Sequence, residues 1–189
     1  MSNPEKPAIA FAPPSLASNP EFVAKITNLI NAVYLETESD FFLGSVNRVS
    51  TDEVHSFIRS GELAICWRAG STKAEASEVM GCIKTSMLNG QTGQFGLLAC
   101  DPAFQGTGVG WGLIRFAEEF AKNHHGAERM QLELLFPRDW HHPFKTRLAD
   151  WYGRAGYELV RSVDMVHQFP QIAPALAKPA DFRVYQKKL

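Results

Sequence analysis

The stretch Asp101-Pro102-Ala103-Phe104-Gln105-Gly106-Thr107-Gly108-Val109-Gly110-Trp111-Gly112 constrains this chain more than any other. Before it, Gln94 to Cys100 reads as a strand; after it, Leu113 to Lys122 reads as a helix. Glycines at 106, 108 and 110 remove side chains from the turn between them. The backbone can then approach a ligand closely and take up positive φ. The first N–H groups of a helix have no partner within it, and the helix dipole adds partial positive charge there. Strand, glycine loop and helix N-terminus together predict an anion site, most naturally for phosphate.

The glycine spacing narrows the choice of phosphate. A dinucleotide loop has glycines at the first, third and sixth positions. Counted from Gly106 the sixth position is Trp111, and counted from Gly108 it is Leu113, so both fail. A Walker A loop needs Lys-Ser/Thr after its last glycine, and none is there. What remains is Gln-x-x-Gly-x-Gly, met by Gln105, Gly108 and Gly110. With Leu98-Ala99-Cys100-Asp101-Pro102 before it, this resembles the acyl-CoA loop of the GNAT superfamily of N-acyltransferases. The resemblance implies that main-chain amides of Gln105, Gly106, Thr107, Gly108, Val109 and Gly110 hold the CoA pyrophosphate. It also implies that the preceding strand splays from its neighbour, so that Leu98, Ala99 and Cys100 meet the pantetheine arm and thioester oxygen through backbone atoms.

A second motif agrees. Trp151-Tyr152-Gly153-Arg154-Ala155-Gly156-Tyr157 is similar to the aromatic-Tyr-x-x-x-Gly-Phe/Tyr signature that closes the fourth helix of many acetyltransferases. By that resemblance Tyr152 matches the tyrosine that protonates the leaving thiolate. Many members carry asparagine seven residues earlier; here that position is Lys145, expected to be solvated. Gly156 reads as a helix C-cap.

The implied reaction is attack of an amine on the thioester of acetyl-CoA. An alkylamine is mostly protonated at neutral pH, so a base must remove its proton, directly or through water. Glu133 lies in a strand whose alternation can turn it into a cleft. Glu36 and Glu38 lie in a segment that resembles the family's substrate-covering region, and His141 and His142 lie in a nearby loop. Glu133 and Glu36 are the leading base candidates. The histidine pairs at 124–125 and 141–142 lack a matching cysteine or carboxylate pattern, so no metal site is expected. A non-catalytic acyl-CoA sensor is the competing reading.

Composition sets the remaining bounds. The 189 residues suit one domain, with residues 1–19 as an irregular proline-rich lead-in and 20–189 as the acetyltransferase-like domain. A net charge of −1 offers no bulk attraction for nucleic acid or membrane. No secretory signal is visible, and Cys66, Cys82 and Cys100 all fall in strand-like runs. Free buried thiols and a cytoplasmic, reducing setting are expected, and a homodimer is compatible with the sequence.

The element order reads as two helices, three strands, helix, strand, helix, two strands. The first helix begins at Asn19-Pro20 with Phe22, Ile26, Ile30 and Val33 on one stripe, and Ser50-x-x-Glu53 caps the second. Residues 69–77 read as a polar turn and 157–169 as one strand. The expected fold is α+β, a mixed, mostly antiparallel sheet flanked by helices.

Overall fold

Leu63-Ala64-Ile65-Cys66-Trp67 shows how the core divides. Leu63, Ile65 and Trp67 pack on one side of a sheet, and Ala64 and Cys66 on the other. A strand buried on both faces belongs inside a three-layer structure. The computed structural model describes residues 7–68, 70 and 78–189, and contains that structure. Seven strands make one sheet: β1 (Ala8–Phe11), β2 (Leu63–Trp67), β3 (Val79–Asn89), β4 (Thr92–Cys100), β5 (Arg129–Pro137), β6 (Glu158–Asp164) and β7 (Ala180–Lys188). Their order is β1-β2-β3-β4-β5-β7-β6. Every pairing is antiparallel except β4 with β5. Apart from residue 70, the turn expected at 69–77 lies outside the described residues.

Helices α1 (Pro20–Glu38) and α2 (Thr51–Arg59) cover one face, burying Phe22, Ile26, Ile30, Val54 and Ile58. Local signals start both. The Asn19 side chain accepts from Phe22 N–H at 3.1 Å, and Ser50 and Glu53 form a reciprocal capping box. Helix α3 (Val109–His125) covers the other face through Leu113, Ile114, Ala117 and Ala121, beside α4 (Pro143–Arg154). No helix among the described residues is long and apolar enough to cross a membrane.

Helix α3 begins at Val109, one turn before the expected Leu113, and two larger differences from the sequence reading lie at the ends of the sheet. The lead-in contains β1, paired from Ala8↔Trp67 to Phe11↔Ala64. Its Phe11 ring meets Phe116 and Phe120 edge-on at 5.2 and 4.5 Å. Four residues between prolines carry too little alternation to announce a strand; the pairing comes from β2. The strand expected over 157–169 stops at Asp164, whose side chain accepts from Val166 N–H at 2.8 Å and starts a one-turn helix, α5 (Met165–Gln168).

Packing between the layers is tight at Gly81. A Cβ there would lie 2.8 Å from the Ala99 carbonyl oxygen and 3.0 Å from Val109. Neither backbone nor helix can yield cheaply, so Gly81→Ala is expected to destabilise the fold by about 1–3 kcal/mol. Denaturant unfolding checks this; an unchanged midpoint would show that β3 and β4 separate freely.

Candidate active site

The site is made where the sheet opens. Strands β4 and β5 pair in parallel only from Thr92↔Arg129 to Phe95↔Leu132. Beyond that point β4 continues to Cys100 and β5 to Pro137 without pairing to each other. A bulge drives the separation. Between Lys84↔Gly96 and Cys82↔Ala99, two steps on β3 face three on β4. Leu97, at the bulge, holds φ at 50°, a left-handed value that non-glycine residues rarely adopt. Bulges bend a strand and increase its twist, which turns β4 away from β5. A cleft of about 640 Å³ occupies the opening, lined by both strands, the glycine loop, α4 and the end of α1.

The glycine loop closes one end of the cleft. Asp101 Oδ1 accepts from Ala103 N–H at 3.0 Å, and the Thr107 hydroxyl donates to the Phe104 carbonyl at 2.6 Å. Gly106 and Gly108 have φ of 76° and 92°, so glycine is required at both for conformation alone. Gly108 is the N-cap of α3 and offers no side-chain cap. Among the described residues, the N–H groups of Val109, Gly110 and Trp111 donate to no protein acceptor. These donors, a positive helix end and an open strand edge suit a long amide-bearing arm that ends in a diphosphate.

The expected contact residues divide into two groups. Leu98, Cys100, Gln105, Gly106, Gly108 and Gly110 line the cleft. Ala99, Thr107 and Val109 do not. Ala99 is buried in the core on the α1 side, Val109, the first residue of α3, is buried in the core on the opposite side, and the Thr107 hydroxyl is tied back into the loop. Ala99 and Val109 can meet a ligand only through the main chain, whereas the Thr107 N–H donates to the Phe104 carbonyl and the Gln105 N–H to the Pro102 carbonyl, each at 3.3 Å, which takes both of those amides out of the expected phosphate site. Arg147, Trp151 and Arg154 of α4 also line the cleft, adding charge and an aromatic wall.

Tyr152 lies in the same cleft, buried among Phe95, Trp151 and Tyr157 with ring centroids at 6.1, 5.2 and 6.1 Å. Burial pushes its phenol well above the ordinary tyrosine value, so the hydroxyl keeps its proton. Glu133 lines the cleft just past the last β4–β5 pair.

Glu36 does not reach the cleft. It is exposed, and Glu38 lines the cleft in its place. The reason is helical phase. Phe22, Ile26, Ile30, Tyr34 and Glu38 repeat every four residues and form the inward stripe of α1, while Glu36 lies about 200° around the helix from Glu38. Spacing by four, continued past Ile30, is the signal that would have selected Glu38.

Lys145 is not solvated. Its side chain is 3% exposed and its Nζ donates to Glu38 Oε1 at 2.6 Å, with the Glu38 side chain 8% exposed. Burial pulls the Lys145 ammonium below its ordinary value, and the Glu38 carboxylate opposes that pull. The pair joins the C-terminal end of α1 to the first turn of α4 at the cleft wall. Of the neighbouring histidines, His141 is exposed, and His142 is buried with its ring stacked 5.4 Å from Phe41. Burial, and then the Lys145 charge, lower the His142 value.

All three cysteines are free; Cys66 and Cys82 are buried and Cys100 is half-buried at the cleft. Burial pushes the Cys66, Cys82 and Cys100 thiols up to about 11, 12 and 11, which leaves them protonated and weakly nucleophilic near neutral pH.

Comparison with known proteins shows the family and the fold. The model of the acetyltransferase (GNAT) family matches residues 30–155. No curated protein sequence matches the chain at a significant level. Among solved structures, the yncA protein of Salmonella typhimurium, determined with its cofactor acetyl-CoA, is 15% identical with a TM-score of 0.64, covering 98% of this chain and 95% of its own. An acetyltransferase of Streptococcus agalactiae is 18% identical with a TM-score of 0.63, covering 97% and 98%. The NatC complex bound to Gag peptide and CoA contains a chain 18% identical with a TM-score of 0.62, covering 96% and 98%.

Proposed function

The chain belongs to the acetyltransferase (GNAT) family, which uses acetyl-CoA, and from that premise we propose that it moves the acetyl group directly onto a primary amine of a small molecule or an exposed protein amine. One observation carries the proposal. The length of β4 that parts from β5 leads to the uncapped N-terminus of α3 within a single cleft, and Tyr152 and Glu133 line that cleft.

Bound acetyl-CoA supplies an acyl carbonyl on a thiol leaving group, so a carbon–nitrogen bond to the amine forms as the carbon–sulfur bond breaks. The main chain at Leu98, Ala99 and Cys100 aligns the arm, and the amides of Gly106, Gly108, Val109 and Gly110 hold the phosphates; those of Gln105 and Thr107 already donate to the Pro102 and Phe104 carbonyls. Glu133 takes the amine proton, directly or through water. Tyr152, kept protonated by burial, donates to the sulfur and is reprotonated from solvent. Direct transfer is favoured because the Cys100 thiol, raised to about 11, is a poor acyl carrier near neutral pH.

Gly108 tests the phosphate loop. A Cβ there meets nothing within 4 Å, so no packing is lost, yet a valine cannot hold φ of 92° without strain. Gly108→Val is expected to weaken acetyl-CoA binding by about tenfold or more, roughly 1.4 kcal/mol. Calorimetric titration of the folded variant decides the matter; unchanged affinity would remove the loop from the cofactor site.

A further inference from the structure

The cleft extends past the reacting groups. A second pocket of about 150 Å³ adjoins it, and Tyr34, Glu38 and Arg48 line both. Glu38 and Lys145 are closed on each other at 2.6 Å, so their charges cancel at this junction. Arg48 is different. Among the described residues it has no carboxylate partner.

The loop that carries Arg48 is nevertheless held in place. Asn31 Oδ1 accepts from Arg48 N–H at 2.8 Å and from Val49 N–H at 3.0 Å, and Asn31 Nδ2 donates to the Val49 carbonyl at 2.9 Å. The guanidinium sits 5.1 Å from the centre of the Tyr34 ring. A guanidinium offers five donors in a planar fork that matches a carboxylate. Here that fork stands at the junction of two cavities.

The smaller pocket is lined by the apolar side chains of Leu35, Phe42, Val46, Met165 and Ile172, with Ser39 and Asn47 as polar neighbours besides the shared residues. A cavity of about 150 Å³ admits a group the size of benzene. One class of acceptor satisfies a free guanidinium, an apolar pocket and a carboxylate in the larger cleft together. Resting on the acetyltransferase reading, we propose that the acceptor is an α-amino acid with an apolar side chain. Arg48 holds its carboxylate, the smaller pocket takes its side chain, and its amine enters the larger cleft toward Glu133.

The test compares each natural amino acid with the amine left when its carboxylate is removed, following CoA release and N-acetyl product. Arg48 is exposed at the cavity mouth, so an apolar amino acid is expected to exceed its matched amine in kcat/KM by about tenfold, the discrimination that one hydrogen bond between charged groups gives. Arg48→Gln is expected to reduce that ratio by about tenfold, mainly through KM, and Arg48→Lys is expected to restore part of it. Acetyl-CoA titration of each variant checks the fold and the cofactor cleft. Preference for the plain amine or a peptide N-terminus, or an unchanged ratio in Arg48→Gln, overturns the proposal. Absence of any turnover with acetyl-CoA bound overturns it too, and leaves the cofactor site standing. Absence of acetyl-CoA binding in the wild type strikes at the acetyltransferase reading itself.

Discussion

Lys145→Met is expected to cost about 3 kcal/mol of folding stability, because it strands the buried Glu38 carboxylate without its partner. Methionine keeps much of the lysine's length, so the loss comes from the charge. Near the midpoint, a chain of this size loses about 2–4 °C for each kcal/mol. The companion experiment is the double variant Glu38→Gln, Lys145→Met, which leaves no buried charge and is expected to recover much of the loss. Thermal unfolding of the two variants separates the readings. A single variant as stable as wild type, or a double variant no better than the single, would show that the pair does not join α1 to α4.

Tyr152→Phe carries the second large effect. The substitution keeps the ring against Phe95, Trp151 and Tyr157 and removes only the hydroxyl. If that hydroxyl protonates the sulfur, kcat falls while acetyl-CoA affinity holds. General-acid assistance is worth about 10²–10⁴ in rate, and a thiolate already leaves fairly well, so a loss of about a hundredfold is expected. Single-turnover measurements remove the influence of product release. Equal rates for the two proteins would make Tyr152 a packing residue and assign the proton to water.

What could be read in advance was local. The glycine loop, the capping box at Ser50 and the cap at Asn19 each depend on residues within a few positions, and each lies where its spacing placed it. What could not be read depends on distant contacts. Lys145 is buried because the end of α1 meets the start of α4 across 107 residues, and nothing near Lys145 announces that carboxylate. The strand at Ala8–Phe11 exists because β2 offers it an edge. Glu36 and Glu38 are chemically alike; only the length and phase of α1 separate them. The bulge at Leu97 comes from register across three strands, and it opens the cleft. Arg48 has no motif at all. Its interest comes from the Asn31 bonds and from the two cavities that it borders.

An acetyltransferase cleft transfers acetyl groups and does not merely bind acetyl-CoA. The direct measurement incubates the protein with acetyl-CoA and an amine panel, and quantifies free CoA and N-acetylated amine by mass spectrometry. The predicted result is an acceptor-dependent release of CoA, matched one for one by acetylated product. Tight acetyl-CoA binding with no CoA released to any amine would contradict the account and mark the protein as an acyl-CoA-binding module.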